Sequence, residues 1–560
     1  MAKRVLITSA LPYINGVKHL GNLIGSLLPA DVYARHLRLK GVETAFICGT
    51  DEHGTPAEIG AMEEGKSIEA YCLEKHELQA SIYRAFDISF DFFGRSSSDE
   101  NIAMTQAIFS RIDENGFVYE KSISQFYSLD DRRFLPDRYV VGTCPKCGFS
   151  SARGDQCDGC GNLLDPIELI APRSALSGST NLELRQTKHL FLKLEALTPD
   201  IAAFINEHPE WSPTVLGIAR KWLSEGLRDR SITRDLSWGV PVNKPGFEGK
   251  VFYVWFDAPI AYISMTKEWC KLQGDADGWT RWWKDVNDVE LVQFMAKDNV
   301  PFHTVFWPAM MKATGDTWVF AETIKGFNWL TYEGGKFSTS RRRGVFTDQA
   351  IALYPSDYWR YSLLASAPES DDSDFDFGTF ANHVNKDLAD VLGNFVNRVH
   401  GLIAKHFPEG LPPGFTPDPS LEKQVQEKVS GFLSSLDALK FRAAIQIMRS
   451  LWVLGNEYIT GAQPWSIVKA DRNAAANILK NCLFLQNVFS YCASPVMPSM
   501  AEHINAHPGA GDRWSYDDMF AIDWLKGTVS LPQPAVLVAK ISDEEVADLQ
   551  LRFAGQMVEA

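Results

Sequence analysis

Val5-Leu6-Ile7-Thr8-Ser9-Ala10 runs into Leu11-Pro12-Tyr13-Ile14-Asn15-Gly16 and then, across Val17 and Lys18, into His19-Leu20-Gly21-Asn22-Leu23-Ile24-Gly25. A short apolar run rich in β-branched residues, interrupted by Pro12 and Gly16 and resumed at helical spacing, predicts strand, loop and helix in that order. That is the opening of a nucleotide-binding α/β unit. Gly21 lets a ligand come close to backbone where the helix begins, and His19 stands at a helix end whose dipole favours anions. An ordinary strand-to-helix turn can carry the same four residues, so the rest of the chain has to decide between the two.

The composition sets outer bounds. With 560 residues, 45% hydrophobic and 22% charged, the chain is that of a globular protein with room for about three or four domains of 100 to 200 residues. A net charge of −15 argues against an overall basic coat for nucleic acid and leaves room for local basic grooves. Lys3-Arg4 before an apolar run imitates a secretory signal, but Pro12, Asn15, Lys18 and His19 end that run too early. No apolar stretch approaches the roughly 18 residues of a membrane span, so no membrane partner is expected. Nine cysteines, four of them clustered, fit a metal site in a reducing compartment, which points to the cytoplasm.

Outward from the opening stretch, Thr44-Ala45-Phe46-Ile47-Cys48 predicts a second strand ending in Gly49-Thr50-Asp51-Glu52-His53-Gly54. Ligands of parallel α/β sheets gather beyond the carboxyl ends of strands, which makes Asp51 a candidate partner for an ammonium group, or else a helix cap. Residues 55 to 118 read as helices, notably Ile68 to Ala85 and Asn101 to Asn115, with Gly116 as the stop. From Phe117 the pattern turns to short aromatic strands and an insertion with Cys144-Pro-Lys-Cys147 and Cys157-Asp-Gly-Cys160. Two such pairs nine residues apart, with Gly148, Gly159 and Gly161 to make tight turns, supply four thiolates to one tetrahedral site. A redox dithiol needs only one pair. The expected ion is a single structural zinc, which gives a polar insertion the free energy that hydrophobic burial cannot.

A second α/β half follows. Thr187 to Leu194 reads as a strand, Trp211 to Gly226 as a helix, Val251 to Phe256 as a strand ending in Asp257-Ala258-Pro259, and Glu290 to Phe294 as a strand ending near Asp298. Asp298 at a strand end suits ribose hydroxyls, or again a cap. Thr304 to Thr314 reads as a helix. Beyond Phe346 the segments Thr379 to Phe407, Ser420 to Leu436, Phe441 to Thr460 and Arg472 to Ala493 carry apolar residues at helical spacing and predict an α-bundle. Gln533 to Ile541 reads as a strand and Asp543 to Ala554 as an amphipathic helix.

The series PYxNGxxHLGN, GTDEHG, the twin CxxC, DLSWGVPV, YVWFDAPIAYIS, KDNVPFHTVFWPAM and GGKFSTSR, over residues 10 to 344, resembles the methionyl-tRNA synthetases, class I enzymes with HIGH and KMSKS signatures. The resemblance implies a Rossmann-like parallel-sheet catalytic domain split by a zinc-knuckle insertion and followed by an α-helical anticodon-binding bundle. The implied segments are 1–117 and 233–325 for the catalytic halves, 118–232 for the insertion with its knuckle about 139–165, and 326–378 for the KMSKS loop and stem-contact region. The bundle takes 379–530, and a tail over 531–560 returns to the body. The implied reaction joins L-methionine to ATP, brought with Mg2+, as methionyl-adenylate, then passes methionine to the 3′ end of tRNA(Met), initiator and elongator alike. Without an appended module of the kind that dimerises some relatives, a monomer is expected.

Carried onto this sequence, the methionine pocket falls on Ala10, Leu11, Tyr13, Asp51, Trp255, Ala258, Pro259, Tyr262 and His303, with Asp51 on the ammonium and aromatic rings round the thioether. His19, Gly21, Asn22, Asp298, Lys336 and Thr339 fall on the ATP site, and His19 and Lys336 are expected to neutralise phosphate charge. Asn394 and Arg398, with Pro464 and Trp465, match the positions that read the CAU anticodon, where an aromatic platform suits unpaired bases. Three positions depart. Asn22 ends the HIGH signature with an amide in place of a second histidine, and Asn299 replaces a branched aliphatic residue. Thr339 stands where KMSKS has its second lysine, so Arg341 or Arg342 is expected to take over that charge. The rival readings are another class I synthetase for an apolar amino acid, a HIGH-superfamily nucleotidyltransferase, and an inactive tRNA-binding paralogue.

Overall fold

In the computed structural model, the described residues are 4–154, 157, 159–160, 164–338, 342–506, 514–531 and 536–555. Thr339, Arg341, Gly161 and the start of the expected tail strand at Gln533 lie outside them.

Five strands, β1 (Arg4–Ser9), β2 (Glu43–Thr50), β3 (Phe92–Arg95), β4 (Val289–Ala296) and β5 (Ala321–Phe327), form one parallel sheet in the order β5-β4-β1-β2-β3. β1 and β2 are buried along almost their whole length, as an apolar strand covered on both faces requires. The order reverses at β1, which pairs with β2 on one side and β4 on the other, so a ligand crevice opens beyond the carboxyl ends of β1 and β4. Each of these two strands leads into a helix with a π-turn near its start, Leu23–Leu27 before Pro29 and Phe302–Phe306 before Pro308. A proline cannot donate into the preceding turn, so the ladder widens there, and both widened turns face the crevice.

Residues 118–192 fold as a separate antiparallel layer, with Val118–Ser128 paired to Leu182–Leu192 in continuous register. A small sheet of Val140–Thr143, Ala152–Arg153 and Ile170–Ser174 carries the cysteine knuckle at one end. The buried carboxylate of Glu58 ties this layer to the body. It accepts from Arg133 Nη2 at 3.1 Å, Ser237 Oγ at 2.7 Å, the Ser237 and Trp238 amides at 3.1 and 2.9 Å, and the Tyr139 hydroxyl.

Three expectations are corrected here. Val251 to Phe256 is strand only over Val251–Phe252, because its partner Thr233–Arg234 offers two residues; the chain then turns into a helix at Val254–Asp257. Pairing partners, not β-propensity, set the strand's length. β3 interrupts the stretch read as continuous helix, and β5 joins the sheet from a segment not read as a strand. In the tail, residues 536–541 form no strand; the Ile541 amide and carbonyl pair instead with the Asn385 side chain at 2.8 and 2.7 Å.

The helical region packs Phe377–Asn382, His383–Gly393 and Asn394–His406, end to end, against Pro419–Asp437, Phe441–Ala462 and Arg472–Ala493. Asp418 and Asp471 cap two of these starts by accepting from backbone amides. On the helix before this region, Ser356–Ala365, a buried ion pair reaches the sheet's first helix, Arg360 Nη2 to Asp31 Oδ2 at 2.6 Å, and Arg360 also donates to the carbonyls of Phe86, Pro495 and Val496. The tail helix Asp543–Phe553 ends on the catalytic body, where Phe553 accepts from the Gly344 amide at 3.0 Å. No helix among the described residues is long and apolar enough to cross a membrane.

Candidate active site

A cavity of about 670 Å³ opens at the carboxyl ends of β1 and β4. Ala10, Leu11, Tyr13, Asp51, Trp255, Ala258, Pro259, Tyr262 and His303 line one end of it, and His19, Gly21, Asn22, Asp298 and Lys336 the other. The loop after β1 is held against β2: the Ile14 amide donates to Asp51 O at 2.8 Å, the Asp51 amide to Pro12 O at 2.9 Å, and Gln79 Nε2 to Tyr13 O at 3.0 Å. This threading brings Asp51 under the first loop.

At the Asp51 end the rings hold one another. Trp255 Nε1 donates to the Tyr13 hydroxyl at 3.0 Å, and its ring packs on Phe302 with centroids 4.1 Å apart. The Tyr262 hydroxyl lies 3.2 Å from Ser9 O and 3.3 Å from His303 Nε2, while His303 Nδ1 donates to Asn299 O at 3.0 Å. That second bond puts the proton on Nδ1, and burial pushes the His303 imidazole down to about 4, so it is neutral. Asp51 is only 5% exposed, and its Oδ1 has no hydrogen-bond partner among the described residues. Burial, then the charges of Asp257 and Glu52, push its carboxyl well above the usual range. Behind it His53 Nδ1 meets Asp257 Oδ2 at 2.7 Å. A buried carboxyl with an oxygen left without a partner, on a residue that lines a cavity, is a feature that calls for an explanation.

At the other end His19 caps the helix, its Nδ1 accepting from the Gly21 amide at 3.1 Å while the Asn22 amide oxygen accepts from the His19 N–H at 3.2 Å. A Cβ on Gly21 would stand 2.9 Å from the imidazole, so only glycine lets the ring fold back over the helix start. Burial, with Lys18 beside it, pushes His19 to about 4. The imidazole is therefore neutral, with its free nitrogen protonated, and the expectation that it helps neutralise charge narrows to donating one hydrogen bond. Phe337 lies flat on this ring, centroids 4.4 Å apart and planes 5° off parallel. A Cβ on Gly344 would meet Phe337 at 2.3 Å, and Gly344 also sits at φ +89. The loop closes as a hairpin through Ser338 and Arg343, and Arg343 Nη2 donates to the Tyr332 and Glu333 carbonyls at 2.9 and 3.1 Å, fastening its base. Lys336 is exposed over the Trp329 ring. Arg342 is exposed at φ 49, off the cavity lining.

Sequence reasoning passed over Lys18, Phe337 and Trp329, all of which line the cavity. Lys18 stands inside the quoted motif, adjacent to His19, and that adjacency was the available signal. Trp329, 42% exposed, and Phe337 gave none beyond their distance from any apolar periodicity.

The four cysteines of the knuckle come together. Their Sγ atoms all lie within 4.8 Å of one another, with Cys147–Cys157 at 3.6 Å and Cys144–Cys160 at 4.0 Å. Tetrahedral zinc–thiolate bonds of about 2.3 Å set sulfur–sulfur edges near 3.8 Å, so the donor set fits that ion. In the bundle Asn394, Arg398 and Trp465 share one face. Asn394 Nδ2 donates to Asn456 Oδ1 at 3.3 Å, Arg398 donates to Thr460 Oγ1 at 3.3 Å, and the Arg398 guanidinium lies 5.5 Å from the Trp465 ring centre. Pro464 is buried at the first turn of the short helix that carries Trp465.

A parallel sheet in this order, a HIGH-type histidine capping the helix after its central strand and a glycine-flanked loop stacked upon it define a class I aminoacyl-tRNA synthetase. Residues 5–400 match the family model described as tRNA synthetases class I (M), and residues 408–558 match the anticodon binding domain of methionyl tRNA ligase. The chain belongs to the methionyl-tRNA synthetase family and is a methionine–tRNA ligase by that membership. It is 50% identical over 567 aligned positions to the methionine–tRNA ligase of Cereibacter sphaeroides strain KD131, covering 99% of each chain. The Paracoccus denitrificans ligase is likewise 50% identical, with 99% of each chain covered. Among solved structures, the Mycobacterium tuberculosis methionyl-tRNA synthetase in complex with methionyl-adenylate superposes with a TM-score of 0.78 at 23% identity, covering 96% of this chain and 100% of that one, a likeness of fold.

Proposed function

We propose that the cavity is the adenylation centre, with methionine at the Asp51 end and ATP, as its magnesium complex, at the His19 end. The buried carboxyl of Asp51, one of whose oxygens has no hydrogen-bond partner among the described residues, carries this reading: it lines the cavity together with Leu11, Tyr13, Trp255, Ala258, Pro259 and Tyr262, a setting that suits an α-ammonium beside a thioether. Asp51 receives the ammonium, Tyr13, Trp255, Tyr262 and His303 enclose the side chain, and Asp298 accepts from ribose hydroxyls. His19 donates its free N–H to phosphate, Asn22 its amide, and Lys336 brings charge. In-line displacement at the α-phosphate needs alignment and charge neutralisation more than covalent help. Methionine-dependent ATP–pyrophosphate exchange tests the reading, and exchange with another amino acid, or none, overturns it.

The same reading gives the helical region, within boundaries near 379 and 530, the anticodon of initiator and elongator tRNA(Met). Trp465→Ala is expected to lower tRNA charging by about 1 to 3 kcal/mol while leaving pyrophosphate exchange nearly intact, since stacking is worth that much per base. Equal losses in both assays would make Trp465 a packing residue. The knuckle holds one structural zinc: Cys147→Ser should release it and expose residues near 140–165 to protease, as metal analysis and limited proteolysis would read. The ligase is taken as a cytoplasmic monomer, which sedimentation checks.

A further inference from the structure

The geometry points to Lys18 as a catalytic residue of adenylate formation, its ammonium contacting the α-phosphate oxygens of ATP where the methionine carboxylate attacks. This rests on the adenylation reading above and deepens it.

Lys18 lines the same cavity as Asp51, His19 and Lys336. Its backbone is fixed, because Lys18 O accepts from both the amide and the hydroxyl of Thr347 at 2.9 Å. Its ammonium donates to Asn15 on its own loop, to the carbonyl at 3.0 Å and toward the amide oxygen at 3.4 Å, and pairs with no carboxylate among the described residues. A half-buried ammonium with neutral acceptors alone is costly to keep unless an anion arrives to meet it. Burial pulls the group down to about 7, against the opposing pull of Asp51. The cation is also needed. His19 is neutral, and the fourth position of the KMSKS-type loop holds an uncharged threonine. Lys18 sits on a loop held before substrate arrives, which is where a preorganised charge is worth most.

The step balances without a proton donor. A methionine carboxylate oxygen forms a bond to the α-phosphorus, the bond from that phosphorus to the bridging oxygen breaks, and pyrophosphate leaves with the electron pair. Lys18 offsets the charge on the non-bridging oxygens throughout.

The test uses the full chain, with Lys18→Met and Lys18→Arg, in methionine-dependent pyrophosphate exchange from pH 6 to 9, beside methionine affinity read from intrinsic tryptophan fluorescence. The groups facing Lys18 across the cavity are Asp51, His19, His303, Asp298 and Lys336. Of these the two histidines have finished titrating well below pH 6. Expected are a loss of at least about tenfold in kcat/KM for ATP in Lys18→Met with methionine affinity held within about twofold. The wild-type KM for ATP should rise as pH passes from 6.5 to 8.5, and Lys18→Arg should keep much of the rate and flatten that rise. Exchange in Lys18→Met within about threefold of wild type, a parallel loss of methionine affinity, or an unchanged alkaline rise in Lys18→Arg would overturn the assignment. A wild-type enzyme without methionine-dependent exchange would overturn the adenylation reading itself, a separate outcome. If Lys18→Met does not fold, the pH profile of Lys18→Arg decides.

Discussion

The two ends of the cavity are built on different principles. At the amino-acid end, Tyr13, Trp255, Tyr262 and His303 are tied to one another or to backbone carbonyls, and Asp51 is buried with one oxygen waiting. At the phosphate end, His19 is covered by a single stacked phenylalanine from a hairpin with glycine at its exit, and Lys336 is exposed. The first end is rigid before its ligand arrives. The second is assembled from two separate segments, the helix start at His19 and the loop that carries Lys336 and Phe337. A small substrate rewards preorganisation, and so does charge that develops during reaction, which is why Lys18 on its held loop differs from the exposed Lys336 at the same end.

Three measurements sharpen or break this contrast. The largest effect is expected from Asp51→Asn, which leaves the methionine ammonium without its buried counter-charge. At about 3 kcal/mol for a broken buried pair, kcat/KM for methionine should fall about 100-fold or more. The same change should raise the melting temperature, because the carboxyl's raised pKa means that folding opposes its ionisation above its ordinary range and the amide removes that cost. A melting temperature that falls would show that Asp51 is paired in the free enzyme. Next comes Phe337→Ala, which uncovers His19. Ring stacking worth about 0.5 to 1.5 kcal/mol predicts a rise of about twofold to tenfold in the KM for ATP, with methionine affinity unchanged, in steady-state exchange. A change in methionine affinity would mean that the ends are mechanically joined. The smallest effect is a null one in pH. His19 is pushed down, so it stays neutral as pH falls until about 4, and exchange should show no His19 titration between pH 7 and 5.5. A fall centred near the ordinary histidine value, lost in His19→Asn, would show a charged imidazole and undo the division of labour.

Much of this was legible in residues. The opening stretch fixes β1, its loop and its helix, because a β-branched run, a proline, a glycine and a capping histidine each permit little else. Arg472–Ala493 and Ile68–Ala85 end where spacing and caps say they should. The short edge strands escaped notice: β3 is four residues long, and β5 mixes Glu322 and Lys325 into its run, so neither shows a period. Val251 to Phe256 failed in the opposite sense, an aromatic run shortened by the length of its partner. The cavity's residues came from five separated segments that only the recurring motif order could join, while Lys18, within the most informative of them, drew no attention because a lysine in a loop is usually solvated.

The pairing of β1 with β4 carries a consequence for how the enzyme is made. Arg4 lies opposite Val289, and the Ala10 amide at the floor of the cavity donates to Phe294 O. At about 5 to 20 residues per second, roughly 15 to 60 s separate the emergence of the two strands from a ribosome. During that interval β1 can pair with β2 on one side only, and its other edge presents unpaired amides and carbonyls, the kind of edge on which chains aggregate. A ribosome that stalls anywhere before Val289 therefore releases an open edge and no cavity. The chain first becomes able to bind its substrates only past the midpoint of its own translation.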